Sequence, residues 1–466
     1  MKRSLLVEEM TAVRTANGAV TNKSSLDKCL DLFFIAGASR RMSEDDIRLA
    51  FVNAHTQDKQ LAWRIVFWAR DCRGGAGEKR FFRVIAKFAV VHLKEEWEIV
   101  SVYVPHMGSW KDLFLIEEPS ENVLNYFKHQ LEENSNRNLL AKYFPRKGKW
   151  FSAMHKYLGW SPKMFRKYLV SMTDVVEHHI CDNKLENIKY STVPSVAMNR
   201  YKNLFQRKDG DRFNAYVQDV LDGKDKINAS VLFPNDVIAP LLGCDHHSVN
   251  LDTMQAQWDA LPDYMEGSTE RILPVCDVSG SMTGLPMEVS IALGIYISTR
   301  NVGSFQNAIM TFSENPEMHI IEGTNIYDQV NNLENADWGM NTNLAATFEE
   351  ILEHAIEYGV HEDDMPTKVL IISDMEFDRC GQNTNLDYIR HQYESSGYEL
   401  PEIVFWNVNG RLNNLPGLKN DLGIGLVSGF SPAILKTILS GEIVDPIKLM
   451  RDAVDTKKYL DITEWM

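Results

Sequence analysis

The sequence predicts a protein in two parts: a helical N-terminal half, residues 1–266, and an α/β domain, residues 267–466, with a doubly wound parallel sheet. In the first part, apolar residues recur at three-to-four spacing, which is typical of helices that bury one face. In the second part, short apolar runs alternate with helical stretches, which favours strands joined by helical crossovers. A chain of 466 residues is long enough for two or more domains with sizeable cores.

The helices predicted in the first part are each followed by a short turn. They span 26–36, 44–56, 60–69, 79–93, 95–103 and 110–116. Stacked pairs of helices of this length form a HEAT-like α-solenoid, which is the expected architecture of this half.

The second part is predicted to contain six strands and four helices in alternation. The strands span 271–277, 307–312, 317–321, 367–373, 402–408 and 423–427, and the helices lie near 286–301, 343–358, 383–396 and 431–440. In such sheets, ligands bind at the carboxyl ends of the strands. No G-x-G-x-x-G motif and no Walker lysine follows the first strand, which argues against a nucleotide-binding domain.

Composition favours a folded protein of the cytoplasm. The chain is 44% hydrophobic and contains no run of 18 apolar residues, so we expect no membrane span. The N-terminus becomes acidic too early for a secretory signal. The cysteines have no C-x-x-C spacing and are predicted to be reduced, mostly buried thiols. They are Cys29, Cys72, Cys181, Cys244, Cys276 and Cys380.

Three loops at carboxyl ends of predicted strands carry oxygen ligands for a hard cation. Asp277, Ser279 and Ser281 follow the first strand, Thr342 precedes a helix, and Asp374 ends the fourth strand. Carboxylates and hydroxyls suit Mg²⁺, or another divalent cation. Each residue alone is better explained as a helix N-cap or a turn residue. The set of five, each in a strand–loop–helix context, favours a metal site.

The order Asp-x-Ser-x-Ser, then Thr, then a strand-terminal Asp resembles the metal-ion-dependent adhesion site (MIDAS) of von Willebrand factor A domains. By that resemblance, the second part is an A-type domain. The resemblance also implies that Ser279, Ser281 and Thr342 hold the metal directly, and that Asp277 and Asp374 act mainly through water.

Charge is distributed unequally between the two parts. Residues 267–466 contain 12 Lys and Arg against 30 Asp and Glu, whereas residues 1–266 contain 37 against 34. Within the first part, residues 137–167 contain no acidic residue and nine basic ones. The basic residues are Arg137, Lys142, Arg146, Lys147, Lys149, Lys156, Lys163, Arg166 and Lys167.

Aromatic residues are interleaved with this basic stretch, among them Trp150 and Trp160. Lysine and arginine neutralise phosphates, and exposed aromatic rings stack on bases, so the stretch predicts RNA binding. The alternative is that the aromatic rings form a helical core and the charges a solvated face. Residues 73–80, which contain three glycines, likewise have two interpretations: a phosphate-binding turn or a helix C-cap between repeats.

Motifs in both parts resemble a family related to the Ro autoantigen, whose members join a helical (TROVE-like) module to a von Willebrand A domain. The motifs are Asp71-Cys72-Arg73-Gly74-Gly75-Ala76-Gly77-Glu78-Lys79-Arg80, Gly108-Ser109-Trp110-Lys111-Asp112-Leu113, Ile403-Val404-Phe405-Trp406-Asn407 and Leu426-Val427-Ser428-Gly429-Phe430-Ser431. Ro proteins bind small noncoding or misfolded RNAs on the basic surface of a helical ring. The resemblance therefore implies an RNA-binding ribonucleoprotein component.

Four functions compete at this stage. The first is RNA binding by the helical half, without enzymatic activity. The second is a protein-interaction scaffold in which the metal captures a carboxylate of a partner. The third is a hydrolase that uses the metal with Glu376 or Asp378, although a two-metal nuclease would need more clustered acids. The fourth is a phage or viral structural protein.

Overall fold

The structure is a computed structural model that describes residues 12–115, 119–133, 137–242, 250–312, 316–334, 342–378, 385–439 and 444–466. It confirms a helical N-terminal half followed by a mixed sheet with helices around it. Among the described residues, no helix is both long and apolar enough to cross a membrane. Cys244 and Cys380 lie outside the described residues.

The described chain begins with an antiparallel hairpin that the sequence analysis did not predict. Its strands are β1 (Ala12–Arg14) and β2 (Val20–Asn22). The connecting loop contains Asn17 and Gly18, and Gly18 has a φ of 91°, a conformation that glycine adopts without strain. An Asn-Gly pair between short β-forming segments is the strongest local signal for a hairpin, and it was present in the sequence.

Among the residues described between 23 and 271, the regular elements are all helices. They are α1 (Lys28–Ala36), α2 (Glu44–Gln57), α3 (Lys59–Arg70), α4 (Lys79–His92), α5 (Lys94–Val100), α6 (Val104–Met107), α7 (Trp110–Leu113), α8 (Glu121–Glu133), α9 (Arg137–Tyr143), α10 (Lys149–Tyr157), α11 (Pro162–Ser171), α12 (Val176–Cys181), α13 (Ser195–Lys208), α14 (Gly210–Leu221), α15 (Pro234–Ile238) and α16 (Leu251–Asp259). Successive helices among α1–α4 pack against each other, as stacked helical pairs do. The predicted helix over 95–103 ends earlier, at Val100, and continues as a 3-10 turn.

The sheet has the strand order β5-β4-β3-β6-β7-β8. Its strands are β3 (Ile272–Asp277), β4 (Ala308–Phe312), β5 (Met318–Ile320), β6 (Lys368–Ser373), β7 (Glu402–Asn407) and β8 (Ile424–Ser428). The expectation of an entirely parallel sheet is wrong at the edge strand β5, which is antiparallel to β4. Five residues separate these two strands, whereas a parallel crossover needs a dozen or more.

The helices of this second part are α17 (Leu285–Arg300), α18 (Ile326–Glu334), α19 (Leu344–Tyr358), α20 (Asn385–Ser396), α21 (Leu435–Ile438), α22 (Pro446–Val454) and α23 (Lys457–Thr463). Helices α18, α22 and α23 were not predicted. The chain direction across the sheet reverses at β3, which has β4 on one side and β6 on the other. Loops at such a reversal diverge and leave a crevice at the carboxyl ends of the strands.

The helical half joins the sheet at both of its ends. Near its start, α1 packs on β8, and near its end, α15 packs on α17. The C-terminal helices α22 and α23 return to pack on α3. One continuous hydrophobic core therefore includes residues of both halves, and a second, smaller core surrounds Tyr190, Phe205 and Phe213. The boundary at 266/267 separates the helical half from the sheet domain in the sequence. In the fold, elements of the two parts pack against each other at several places.

Candidate functional site

The loop after β3 is shaped by Asp277, which is fully buried at the end of the strand. The backbone N–H of Ser279 donates to Asp277 Oδ1 (2.9 Å), and the hydroxyl of Ser373 donates to Asp277 Oδ2 (2.5 Å). The hydroxyl oxygens of Ser279 and Ser281 lie 3.1 Å apart. Because β3 and β6 are parallel neighbours, this loop meets the loop that follows β6.

Asp374 and Thr342 lie on the two other predicted loops, and the structure ties both to the same edge of the sheet. The Thr342 hydroxyl donates to the carbonyl oxygen of Glu376 (2.8 Å), and the Thr342 N–H donates to Asp378 Oδ2 (2.7 Å). Asp374 and Thr342 are each 1% exposed, whereas Ser281 is exposed. The five predicted ligands thus come from loops that meet at the carboxyl ends of β3 and β6.

The electrostatics of this site fit a cation. Burial raises the pKa of Asp277 to about 6 and also raises the pKa of Asp374, an effect that its polar neighbours partly offset. Asp374 Oδ2 is buried and accepts no hydrogen bond from a described residue. Arg411 approaches this oxygen, with its Nη2 3.7 Å away. A buried carboxylate oxygen without a donor is costly, and a divalent cation would satisfy it.

Ligation here would depend on hydroxyls as well as carboxylates. Within the described ranges, no three His, Cys, Asp or Glu side chains cluster as metal ligands. Mg²⁺ accepts such a mixed oxygen set and keeps part of its water shell. His246 and His247, which have no metal-ligand spacing in the sequence, lie outside the described residues.

Residues that the sequence analysis did not assign complete the rim of this site. Arg411 Nη1 lies 3.2 Å from Glu376 Oε1, and Asn414 Nδ2 donates to the same oxygen (3.1 Å). Ala16 and Asn17, from the N-terminal hairpin, also reach Glu376. The contacts of the hairpin with Glu376 join residues about 360 positions apart, so no local sequence pattern could predict them.

Most aromatic residues of the basic stretch form a core, which corrects the prediction that Trp150 stacks on a base. Trp150 is 5% exposed and packs edge to face against Phe114 and Phe127. Its ring therefore has no free face for a base. Trp160 is half-buried and packs edge to face on Tyr168. The interpretation of the rings as helical core applies to Trp150, because it forms the buried face of α10 together with Phe151 and Met154.

The basic residues of the same stretch divide into two groups. Lys142 forms an ion pair with Glu177 (2.6 Å), and Arg146 donates to the carbonyl oxygen of Ala141 (2.8 Å). The side chain of Arg137 lies outside the described residues. The exposed group, on and before α10 and α11, is Lys147, Lys149, Lys156, Lys163, Arg166 and Lys167.

A groove that the sequence analysis did not predict runs through the helical half. It consists of two adjoining cavities, of about 720 and 740 Å³, which share Lys79, Arg83 and Val196. Ten basic and five acidic residues line it. The basic residues are Arg40, Arg70, Lys79, Arg80, Arg83, Lys87, Lys111, Lys142, Lys189 and Arg200.

Several groove cations are free to meet a ligand. Lys79, Lys87, Lys189 and Arg200 are exposed, and none has a carboxylate within ion-pair distance in the part of the chain that the structure describes. Others are held in place: Arg40 pairs with Glu78 (2.6 Å), and Lys111 lies over the ring of Tyr143 at 4.5 Å. Residues from α2 to α15, together with Arg40 and Phe430, contribute to the groove, which explains why no single stretch of sequence revealed it.

The glycine-rich turn over 73–80 is structural. The N–H groups of Ala76, Gly77 and Glu78 donate to carbonyl oxygens of Trp68, Asp71 and Ala69. A Cβ on Gly75 would lie 1.9 Å from the Trp68 carbonyl oxygen. These amides are therefore occupied by the end of α3, which leaves them unable to cradle a phosphate.

Fold and site together define a class: a helical half with a basic groove, joined to a mixed α/β sheet with an oxygen-lined site at its carboxyl edge. Residues 131–269 match a family model described as "Domain of unknown function (DUF2828)", and residues 271–462 match one described as "Domain of unknown function (DUF7788)". A curated relative is "Uncharacterized protein L728" of Acanthamoeba polyphaga mimivirus. It is 29% identical over an alignment of 497 residues, which covers 94% of this chain and 86% of that protein.

Among solved structures, the chain is similar to the Ro (RSR) protein of Deinococcus radiodurans. The match has a TM-score of 0.42 and 12% sequence identity, and it covers 93% of this chain and 100% of that one. Similarity at this level transfers no functional residue.

Proposed function

We propose that the protein binds RNA through its helical half and holds a divalent cation, Mg²⁺, in its sheet domain, without acting as an enzyme. The observation that carries the RNA proposal is the basic groove. Ten basic side chains from widely separated helices converge on it, in a protein whose net charge is −15. Such convergence in an acidic protein is the electrostatic footprint of a polyanion site.

The chemistry of the groove favours a single-stranded RNA segment. Exposed Lys79, Lys189 and Arg200 offer cations for phosphates, while Val196 and Leu139 offer apolar surface for bases. The exposed basic residues of α10 and α11 extend the positive surface. The resemblance of the motif order to the Ro family supports the same proposal.

The test of RNA binding uses the full chain and a fluorescently labelled single-stranded RNA, with anisotropy measured over a series of salt concentrations. Removing three phosphate contacts in Lys79→Ala/Lys189→Ala/Arg200→Ala should reduce the slope of log K against log[salt] by about 2. Lys147→Ala/Lys163→Ala/Lys167→Ala tests the outer surface in the same way.

The matched control removes three exposed lysines that line neither cavity, in Lys23→Ala/Lys226→Ala/Lys457→Ala. Its net charge changes equally, so its salt slope should stay that of the wild type. Wild-type protein that shows no salt-dependent RNA binding would refute the RNA proposal. An equal loss in groove variant and control would place binding elsewhere on the protein.

Mg²⁺ binding is supported by the meeting of the predicted ligand loops and by the buried Asp374 Oδ2 that lacks a donor. When bound, Mg²⁺ supplies an open coordination position for an oxygen ligand. Mg²⁺ at 100 times its dissociation constant should stabilise the fold by about 2.7 kcal/mol. Asp374→Asn should abolish this increase in melting temperature, while the matched variant Asp363→Asn, at an exposed position, should retain it.

A second candidate function, a scaffold that captures a carboxylate of a partner protein, is favoured by the exposure of Ser281. The site is open to solvent on that side. The two functions separate experimentally: RNA binding depends on the groove lysines, whereas carboxylate capture depends on Asp374 and on Mg²⁺. Calorimetry that detects no divalent-cation binding to the wild type would remove the scaffold and the metal together.

A further inference from the structure

The N-terminal hairpin (β1, β2 and the loop between them) lies on the same edge of the sheet as the candidate metal loops. Asn22 and Leu415 exchange two backbone hydrogen bonds of 3.0 Å, and Gly18 forms an antiparallel bridge with Asp378. The buried Thr15 hydroxyl donates to the carbonyl oxygen of Phe377 (2.7 Å). The hairpin is thus fixed between the loop after β6 and the loop after β7.

The tip of this hairpin touches the candidate metal site itself. Asn17 Nδ2 donates to the carbonyl oxygen of Glu376 (2.7 Å) and to the hydroxyl oxygen of Thr342 (3.3 Å). The N–H of Ala16 donates to Glu376 Oε2 (2.6 Å). Thr342 is one of the five predicted ligands, so an exposed residue near the start of the chain lies directly against a ligand near position 340.

We propose that Asn17 is a further residue of this site. The hairpin tip then covers the side of the metal site on which Thr342 lies. The inference rests on the proposed metal site. The Thr342 hydroxyl donates its proton to Glu376, so it presents lone pairs to Asn17. Without a cation, the carboxamide turns its nitrogen toward these oxygens. A cation between them reverses that preference, because rotation of the carboxamide brings an oxygen ligand of the kind Mg²⁺ takes.

This arrangement couples two events. Because the rotated carboxamide of Asn17 and the Thr342 hydroxyl would hold the same cation, cation binding and docking of the hairpin stabilise each other, and the coupling is reciprocal. A carboxylate of another protein that approached from the Thr342 side would first have to displace the hairpin tip. Asn17 thereby determines which side of the site stays open.

The decisive variant is Asn17→Asp, which places a carboxylate where the carboxamide lies. If the tip faces the cation, the added charge should tighten Mg²⁺ binding, measured by calorimetry on the full chain, on the order of tenfold. Asn413→Asp is the matched control: Asn413 is exposed on the loop after β7, and it has no hydrogen bond to Thr342 or Glu376 among the described residues. Its Mg²⁺ affinity should change less than that of Asn17→Asp, because Asn413 is exposed and, within the described part of the chain, is hydrogen-bonded to neither Thr342 nor Glu376.

Hydrogen exchange on the wild type provides a measurement that needs no variant. Amides of residues 12–22 should exchange more slowly with Mg²⁺ than with EDTA. Wild type that binds Mg²⁺ while Asn17→Asp binds it no more tightly, or while the hairpin amides exchange equally in both conditions, would overturn this inference and leave the metal site standing. Wild type that binds no Mg²⁺ would overturn the metal site and the inference with it.

Discussion

At the scale of single residues, the effect of a buried charge on the stability of the fold depends on its hydrogen-bond partners. Lys202 on α13 is 5% exposed, and its Nζ donates to Asn199 Oδ1 (2.9 Å) and Gln257 Oε1 (3.3 Å). Neither partner carries a charge. Burial lowers the pKa of Lys202 to about 8, well below its ordinary 10.5. The charged form of Lys202 therefore destabilises the folded protein near neutral pH.

The sign of the resulting pH dependence follows from proton counting. Between pH 8 and 10.5 the unfolded chain holds a proton on Lys202 that the folded protein has released, so this residue makes stability rise with pH in that window. Lys202→Met should be more stable than wild type at pH 7, by about 1–3 kcal/mol, and this gain should vanish by about pH 10.5.

Urea unfolding at a series of pH values measures the difference between variant and wild type. Lys226→Met, at an exposed position, is the control and should follow the wild type at every pH. A Lys202→Met gain that is the same at pH 7 and pH 10.5 would show that packing, and not the charge, determines it.

At the scale of elements, the short helix α7 anchors the wall of the groove. Its Asp112 is fully buried and accepts hydrogen bonds from Arg70 Nε (2.8 Å), Arg70 Nη2 (2.7 Å) and Arg83 Nε (3.0 Å). Asp112 also accepts from the N–H of Ser109, which closes a capping box on this four-residue helix. A Cβ on Gly108 would lie 2.4 Å from the Arg70 guanidinium, so glycine is required beside it.

Asp112→Ala should therefore cost about 3–5 kcal/mol, because Arg70, at 2% exposure, would be left buried without its partner. The midpoint of urea denaturation measures this loss. Asp45→Ala removes the same side chain from an exposed pair with Arg48 on α2, and it should cost only about 0–1 kcal/mol. Equal losses in the two variants would mean that Arg70 finds other partners when Asp112 is absent.

At the scale of the whole molecule, the two halves are joined by close backbone contact. The N–H of Gly37, at the end of α1, donates to Ser428 Oγ (3.0 Å), and that hydroxyl donates to the carbonyl oxygen of Phe33 (2.9 Å). A Cβ on Gly37 would lie 2.4 Å from the carbonyl oxygen of Ser428 and 2.7 Å from Gly429 Cα. Both obstacles are backbone, so neither can rotate away.

Gly37→Ala should consequently separate α1 from β8 and destabilise the full chain by about 1–3 kcal/mol, observed as a lower melting temperature. Gly210→Ala is the control: a Cβ there meets nothing within 4 Å, and the residue begins helix α14. That substitution should be neutral or stabilise by about 0.4–1 kcal/mol. If Gly37→Ala were as stable as Gly210→Ala, α1 and β8 could move apart at little cost in free energy.

What the sequence determined by itself is the order of elements and the placement of local motifs. Uninterrupted apolar runs such as 369–372 predict buried strands, and all six strands of the sheet lie within a residue or two of their predicted bounds. Asp277, Ser279 and Asp374 follow strands whose carboxyl ends meet in any parallel sheet, so topology alone brings them together. The Asn17–Gly18 turn was readable too, although it was missed.

Only the tertiary structure decided which surfaces are exposed and which distant residues meet. Trp150 and Lys149 are neighbours in a stretch typical of RNA binding, yet the ring is core and the lysine is exposed, because helical packing and not composition determines burial. The groove draws Lys79 and Arg200 together from helices that are far apart in sequence, and Asn17 reaches Thr342 across 325 positions. Contacts of this range leave no periodic signal in the chain, since each depends on the packing of every element between its partners.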